Sequence, residues 1–378
     1  MSEKNEMQGL NAKKLGFGCM RLPLLENGEV DYAETCRMVD AFLENGFHYF
    51  DTAHGYLGGR SEIALRACLT SRYPREKYIL TDKLSTHHFE RTEEIRPLFE
   101  KQLACCGVDY FDYYLMHAQD ERIFAKYKRL HAYETALALR EEGKIRHFGI
   151  SFHDKAEVLE QILTEYPQIE VVQIQLNYLD YEDVSVQSRK CYEVCERFGK
   201  PVIVMEPVKG GGLVRLPADA QAVFDALHGG SNASYAIRFA ASLDGVAMVL
   251  SGMGNMEMMC DNISYMKDFK PLDAAEREAV EKVCAIIRAQ DMIPCTACRY
   301  CMERCPKGIA IPELFACMNT KKCFNDWNAN YYYGQYSRDG RNASACISCG
   351  RCEQICPQHL PIRRLLREVA AEFDPKEA

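Results

Sequence analysis

The sequence lacks the features that mark membrane and nucleic-acid-binding proteins. None of its apolar runs reaches the roughly 18 residues that a membrane-spanning helix needs. Its net charge of −8 leaves no excess of positive charge for binding a nucleic-acid backbone. The first residues, Met1–Leu10, are polar and lack the apolar centre of a secretory signal. We therefore expect a cytoplasmic protein with neither membrane nor nucleic acid among its partners.

A glycine-rich dinucleotide-binding motif is also missing. No strand candidate is followed by Gly-x-Gly-x-x-Gly, and the nearest string, Gly16-Phe17-Gly18, lacks the third glycine. This absence disfavours an open, doubly wound sheet. Between residues 13 and 270, short apolar segments instead alternate with amphipathic stretches of helical length, one of which is Phe124–Glu142. The strand candidates are Leu15–Met20, His48–Asp51, Ile79–Lys83, Phe111–Met116, His147–Ser151, Val171–Gln175, Pro201–Met205 and Val246–Leu250. Eight strands with intervening helices predict a (β/α)₈ TIM barrel.

The rest of the chain is dense in cysteine, of which the whole sequence has 19. In a reducing compartment so many thiols indicate metal binding rather than disulfides. After a predicted connecting helix over residues 271–290, residues 291–366 contain two copies of C-x₂-C-x₂-C-x₃-C-P. The eight motif cysteines are Cys295, Cys298, Cys301, Cys305, Cys346, Cys349, Cys352 and Cys356. This is the spacing of bacterial ferredoxins, and it predicts two [4Fe–4S] clusters rather than structural zinc, which usually uses two separate C-x₂-C pairs.

An insert over residues 307–345 separates the two copies. It contains a helical pattern at Ile311–Cys323, then Trp327 and an aromatic run at Tyr331–Tyr336. The simpler interpretation is that these rings pack the small domain against the barrel, and the alternative is that they line a substrate pocket or a partner surface. The cysteines outside the motifs, Cys105 and Cys106 among them, are expected to be small apolar core residues.

Four ionisable residues are expected to meet at one rim of the barrel, because catalytic groups lie at the carboxyl ends of barrel strands. Asp51 ends the second strand candidate and Tyr56 follows it, Lys83 ends the third, and His117 follows the fourth. An ammonium beside a tyrosine stabilises the phenolate and lowers a pKa that is ordinarily about 10. Asp51 would then hold Lys83, Tyr56 would protonate a carbonyl oxygen, and His117 would orient that oxygen or share the proton. Taken singly, each residue better fits a structural role such as a buried ion pair, and only the convergence of four favours catalysis.

These stretches resemble the aldo/keto reductase family. The matching segments are Gly46–Tyr56, Lys83, Gly107–His117 and Gly143–Ser151, and the likeness covers about residues 13–270. With the ferredoxin-like tail, the chain resembles the branch of that family with a C-terminal iron–sulfur domain. The resemblance implies a barrel that binds NADP(H) or NAD(H) across its rim. It also implies hydride transfer to an aldehyde or ketone, or from an alcohol in reverse.

The same resemblance implies individual site residues. One cluster would take Cys295, Cys298, Cys301 and Cys356, and the other Cys346, Cys349, Cys352 and Cys305. The implied cofactor-binding residues are Gly18, Met20, Ser151, Gln173, Met205, Gly252, Gly254 and Asn262. Phe152 and Met205 stand where the family has an asparagine and an aromatic residue, and Gly252 and Met258 stand where many members have basic residues.

Three functions remain open. The first, which we adopt, is an NAD(P)H-dependent carbonyl reductase that is coupled to, or stabilised by, its clusters. The second is an electron relay in which the clusters pass single electrons from a redox protein partner to a substrate or bound cofactor at the rim. The replaced nicotinamide contacts favour the relay, because clusters move single electrons whereas nicotinamide moves a hydride. The third is a non-catalytic redox sensor, against which the complete Asp/Tyr/Lys/His set argues.

Overall fold

The structure is a computed structural model that describes residues 13–227, 229–290, 292–295, 297–356 and 358–375, with the backbone alone for residue 303. Met1–Leu10 and Pro357 of the second cysteine motif lie outside the described residues. The chain forms two units. The first contains the described part of Met1–Tyr178, with Ser188–Pro207 and Ala233–Asp273. The second contains Leu179–Gln187 and the described parts of Val208–Asn232 and Ala274–Ala378.

The predicted TIM barrel is confirmed. Eight parallel strands close into a barrel in chain order, with the first strand paired to both the second and the eighth. The strands are β1 Leu15–Gly18, β2 Tyr49–Asp51, β3 Ile79–Leu84, β4 Phe111–Gln119, β5 Ile145–Phe152, β6 Val171–Gln175, β7 Val202–Met205 and β8 Val246–Ser251. Each of the eight strand candidates overlaps one of them.

Large apolar side chains fill one layer of the barrel interior. That layer contains Tyr49, Tyr113, Leu115, Val171, Ile203, Met248 and Leu250. A β-carbon added to Gly149 would lie 2.5 Å from Val171 Cγ1 and 2.7 Å from Leu115 Cδ2. Glycine is therefore required on β5, because a closely packed interior leaves no room for even one methyl group.

Helices follow or connect the strands of the barrel, and further helices form the second unit. They are α1 Tyr32–Glu44, α2 Arg60–Leu65, α3 Ile95–Cys106, α4 Glu121–Arg129, α5 Ala132–Glu141, α6 Ala156–Glu165, α7 Ser188–Arg197, α8 Ala218–Asp225, α9 Asn232–Ala241, α10 Met256–Met266, α11 Ala274–Ala289, α12 Tyr300–Glu303, α13 Ile311–Phe324, α14 Trp327–Tyr336, α15 Arg351–Ile355 and α16 Ile362–Phe373. The expectation of one helix over Phe124–Glu142 is wrong. Asp120 caps α4 by accepting the Ile123 N–H at 2.7 Å, and His131, with a left-handed φ of +51°, separates α4 from α5.

The second unit has its own core, built mainly from α13, α14 and α16. The aromatic insert forms α14, and Tyr332 and Tyr333 are buried in this core. The Tyr333 ring stacks on Phe373 with centroids 4.5 Å apart. The core also includes Cys301 and Cys352, which brings both cysteine motifs onto one apolar framework.

Candidate active site and cysteine cavities

The first unit brings together the four residues predicted to form a proton-donating site. Asp51 ends β2, Tyr56 lies in the following turn, Lys83 lies on β3 and His117 on β4. Lys83 Nζ donates to Asp51 Oδ1 at 2.6 Å and to the Thr52 carbonyl at 2.7 Å. It also lies 3.3 Å from the Tyr56 hydroxyl. Parallel strands in register produce this convergence, because β2, β3 and β4 are consecutive neighbours in the sheet.

The Lys83 ammonium is fully buried and carries its charge. Burial by itself acts to lower the pKa of Lys83, but the charge and hydrogen bond of Asp51, together with Tyr56 and Asp82, raise that pKa above its ordinary value. Gln173 donates to the other Asp51 oxygen, Oδ2, at 3.0 Å. Asp51 is therefore held on both oxygens, and the ammonium points at Tyr56 in a fixed position.

Tyr56 differs from expectation in the direction of its pKa shift. Burial among protein atoms raises the pKa of Tyr56, and the Lys83 charge offsets only part of that rise. The expectation of a lowered value is wrong, because loss of water around the phenolate outweighs the attraction of the ammonium. Tyr56 is consequently a neutral phenol at neutral pH, which is the form that donates a proton.

His117 lies beside Tyr56 as a neutral imidazole. The two rings meet edge to face with centroids 5.9 Å apart. Burial, with the nearby Lys83 charge, lowers the pKa of His117 well below its ordinary value. Its Nδ1 lies 2.6 Å from Ser85 Oγ, which fixes the ring orientation. A neutral, oriented imidazole beside the phenol is suited to hydrogen-bond a substrate oxygen.

Three of the residues expected to bind nucleotide already form side-chain hydrogen bonds within the protein: Ser151, Gln173 and Asn262. Ser151 Oγ accepts the Ala118 N–H at 2.7 Å, and Asn262 donates to Ser251 Oγ at 2.6 Å. Gly18 approaches the Ser251 carbonyl so closely that a β-carbon would lie 3.3 Å from its oxygen. Of the remaining expected residues, Gln173 is described above, Met205 ends β7, and Gly252 and Gly254 follow β8. Met20 is 45% exposed.

Arg21 is a candidate that the sequence analysis missed. Its side chain runs past Gly252, where an added β-carbon would lie 3.4 Å from Arg21 Cδ, and its carbonyl lies beside Gly254. Its guanidinium forms a long ion pair with Glu206, at 3.7 Å. The one feature of the sequence that could have pointed to Arg21 is its position in the short turn after β1. Arg21 puts a positive charge at the glycine loop, which is the chemistry that a nucleotide phosphate requires.

Each of two cavities in the second unit is bordered by four motif cysteines, one of them from the other copy. The first cavity is lined by Cys295, Cys298, Cys301 and Cys356. The second is lined by Cys305, Cys346, Cys349 and Cys352. These are the two sets implied by the ferredoxin resemblance. Four thiols around a cavity with apolar walls such as Ile311 form the donor set of a [4Fe–4S] cluster, so the residues present fit that group.

The backbone of the two motifs repeats as the sequence does. Ala297 and Arg299 flank Cys298 with left-handed φ angles of +53° and +65°. Ser348 and Gly350 flank Cys349 in the same way, with +55° and +75°. These left-handed residues turn the chain around the middle cysteine of each triple, so that neighbouring thiols border one cavity. Among the described residues, no three histidine, cysteine or carboxylate side chains are grouped closely enough to hold a single metal ion.

The sequence profile of the aldo/keto reductase family matches residues 14–285, and that of a 4Fe-4S dicluster domain matches residues 294–360. An aldo-keto reductase from Mycolicibacterium smegmatis is 30% identical over 238 residues, which cover 62% of this chain and 78% of the relative. The NADH-specific methylglyoxal reductase of Escherichia coli is 27% identical over 49% of this chain and 60% of its own length. A probable aldo-keto reductase from Glycine max is 28% identical, and the match spans less than half of its length, 42%.

Solved structures agree on the fold. An aldo-keto reductase from Klebsiella pneumoniae in complex with NADPH superposes with a TM-score of 0.58 at 18% identity, over 75% of this chain and 95% of the other. The holo form of an aldo-keto reductase from Bacillus halodurans gives 0.56 at 24% identity, over 71% and 91%. The barrel fold, the residues at its rim and the matching family profile together identify the protein as an oxidoreductase enzyme. The protein belongs to the aldo/keto reductase family and carries a C-terminal 4Fe-4S dicluster domain. No helix in the described residues has both the length and the apolar character to cross a membrane.

Proposed function

We propose that the protein reduces an aldehyde or ketone with NAD(P)H, or oxidises the alcohol in the reverse direction, and that Tyr56 donates the proton. The observation that supports this most is the contact between Lys83 Nζ and the Tyr56 hydroxyl, 3.3 Å, with Asp51 holding the ammonium. Hydride from NAD(P)H would reach the carbonyl carbon as the Tyr56 proton reaches its oxygen, which leaves an alcohol and NAD(P)⁺. Lys83 would stabilise the phenolate that remains, and His117 would orient the carbonyl oxygen.

Nucleotide binding is proposed at the glycine loop after β8. Gly252 and Gly254 would let the backbone approach a phosphate, and Arg21 would supply the positive charge. Arg21→Met should raise the KM for the preferred nucleotide about tenfold and leave kcat unchanged, since a charged phosphate contact contributes roughly 1.4 kcal/mol. An unchanged KM would remove Arg21 from the site.

The experiment that tests the function is anaerobic oxidation of NADPH and NADH against a panel of aldehydes and ketones. Tyr56→Phe should lower kcat by a factor of roughly 10² to 10⁴, the usual contribution of a positioned proton donor. Tyr166→Phe, at a half-buried tyrosine whose hydroxyl donates to Glu134, is the matched control and should keep full activity. Absence of turnover with both nucleotides, or full activity in Tyr56→Phe, would refute the proposal.

We further propose that the two cysteine sets hold two [4Fe–4S] clusters, which supply single-electron transfer when bound. The two cavities therefore favour an electron relay as the second candidate function. In a relay, a redox protein partner would supply electrons and Tyr56 would still supply protons. If protein without clusters but with a folded barrel reduced its substrate from NAD(P)H as fast as the intact protein, the relay would be excluded.

A further inference from the structure

A second group of buried ionisable side chains lies on the outer side of β3. Successive residues of a strand point to opposite faces, so Asp82 faces the helix layer while Lys83 faces the rim. Asp82 meets Glu62 from α2, and both carboxyl groups are completely buried. The proposed mechanism uses neither of them.

The hydrogen bonds around this pair account for every carboxyl oxygen. Asp82 Oδ1 accepts from the Lys83 N–H at 2.7 Å and from Gln102 Nε2 at 3.0 Å, and Oδ2 accepts from Cys106 Sγ at 3.8 Å. Glu62 Oε2 lies 2.9 Å from His54 Nδ1, and Oε1 lies 3.4 Å from Gln102 Nε2. Gln102 Nε2 thus donates to both carboxyl groups, which places Glu62 and Asp82 side by side.

Two carboxyl groups in contact need a proton between them unless a cation separates them, because two buried carboxylates repel strongly. Among the described residues, His54 is the only basic side chain paired with either carboxyl group. Its pKa is lowered by burial, so it is a neutral donor and not a cation at neutral pH. Each carboxyl group accepts from several donors, Cys106 among those of Asp82 and Cys105 among those of Glu62, so the proton belongs to the pair and not to either group alone.

The position of the pair links the two parts of the proposed proton donor. His54 lies two residues before Tyr56, in the same turn, and is bound to Glu62. Asp82 directly precedes Lys83 and accepts its backbone N–H. A continuous hydrogen-bonded path therefore runs from the Tyr56 turn through Glu62 to the Lys83 strand, on the side of β3 away from the substrate.

We propose that Glu62 and Asp82 hold a single proton between them at neutral pH and that, with His54, they act as positioning residues that fix the Tyr56 turn against the strand that carries Lys83. The positioning role rests on the proposed function, but the shared proton does not. Loss of the proton leaves two charged carboxylates in contact, and their repulsion separates the turn from the strand. The 3.3 Å contact between Lys83 and Tyr56 is what this separation would lengthen.

The surroundings of the pair set the direction of its pH dependence. Burial raises the pKa of both carboxyl groups, so the pair keeps a proton at neutral pH. The other ionisable groups that act on the pair or on its immediate partners are Lys83 on β3, Lys101, Cys105 and Cys106 on α3, Tyr114 on β4, and His54, Tyr56 and His88 in the loops. The two lysines favour the charged form, and the other groups supply no positive charge at neutral pH. The positioned state therefore exists on the acid side of this ionisation and is lost as the pH rises.

Infrared spectroscopy of the intact protein tests the shared proton without any substrate. Protein labelled with ¹³C in the side-chain carboxyl of glutamate and, in a second sample, of aspartate should show, near neutral pH, the C=O band of one protonated carboxyl group that disappears as the pH rises. Glu62→Gln should remove this band, whereas Glu142→Gln, at an exposed carboxylate paired with Arg96, should retain it. Absence of the band from both labelled samples of the unmutated protein, or its survival in Glu62→Gln, would overturn the shared proton.

The pH profile of kcat tests the positioning role. One pH unit above the ionisation, about a tenth of the pair keeps its proton, so kcat of the unmutated enzyme should fall about tenfold there. Glu62→Gln, which hydrogen-bonds like the protonated acid at every pH, should remove that decline, and Glu142→Gln should keep it. Asp82→Asn offers the same neutral replacement if Glu62→Gln does not fold. A band that behaves as expected with unaltered pH profiles would overturn the positioning role, while absence of all turnover would refute the proposed function and leave the infrared result standing.

Discussion

Removal of the Lys83 ammonium should destabilise the first unit far more than removal of a surface lysine. Lys83→Met leaves Asp51, which is 2% exposed, with Gln173 as its remaining side-chain donor. Breaking a buried ion pair in this way costs about 3–5 kcal/mol, because an uncompensated charge remains out of water. Replacing both partners leaves no charge, so Lys83→Met combined with Asp51→Asn should recover most of that loss. The expected coupling free energy of the double-mutant cycle is about 3 kcal/mol.

Anaerobic urea unfolding of the cluster-loaded protein, followed by far-ultraviolet circular dichroism, measures these free energies. Lys128→Met is the matched control, because Lys128 forms a 2.7 Å ion pair with Glu165 in which both side chains are more than a third exposed. That pair should contribute no more than about 1 kcal/mol. The reasoning fails if Lys83→Met costs no more than Lys128→Met, or if the double variant is as unstable as the single one.

Three further predictions follow from other parts of the structure. Gly149→Ala should lower the free energy of unfolding by about 1–3 kcal/mol, because the added methyl group overpacks β5. Gly334→Ala is the control and should not lower it, because a β-carbon there meets nothing within 4 Å. Equal effects of the two substitutions in urea unfolding would contradict the packing account. Cys301→Ala should lower the iron bound per chain, and Cys260→Ala, at an exposed cysteine on α10, should leave it unchanged in a colorimetric iron assay. Because the pKa of His117 is lowered, acidification to about pH 5.5 should not slow the reaction through this residue; an acid decline in kcat near pH 6.5 that His117→Gln abolished would show that the imidazole is charged.

Regular patterns in the chain predicted the barrel and the approximate course of its strands. Alternation of apolar strands with amphipathic helices depends on the local spacing of apolar residues, which can be read directly from the sequence. The helix predicted over Phe124–Glu142 shows the limit. The break at Leu130 and His131 has neither glycine nor proline, and only the left-handed backbone of His131 in the fold separates α4 from α5.

The candidate site was predictable where topology alone brings residues together. Asp51, Lys83 and His117 lie near the carboxyl ends of consecutive strands, and parallel neighbours end at one rim. Arg21 was not predicted, because its approach to Gly252 depends on how β1 and β8 close the barrel. The contacts of Cys105 and Cys106 with the buried carboxyl groups were missed for a similar reason, since α2, α3 and β3 meet there only after folding.

The sequence by itself determined which thiols share a motif, which strands succeed one another, and which side chains stand at strand ends. Tertiary structure alone decided their environment. Tyr56 has a raised and not a lowered pKa because the loss of water around it outweighs one nearby ammonium. Glu62 and Asp82 share a buried contact, and the residues around each of them in the sequence do not predict it. Spacing is a property of the chain, whereas desolvation is a sum over all the atoms that folding brings near a charge, and that sum exists only in three dimensions.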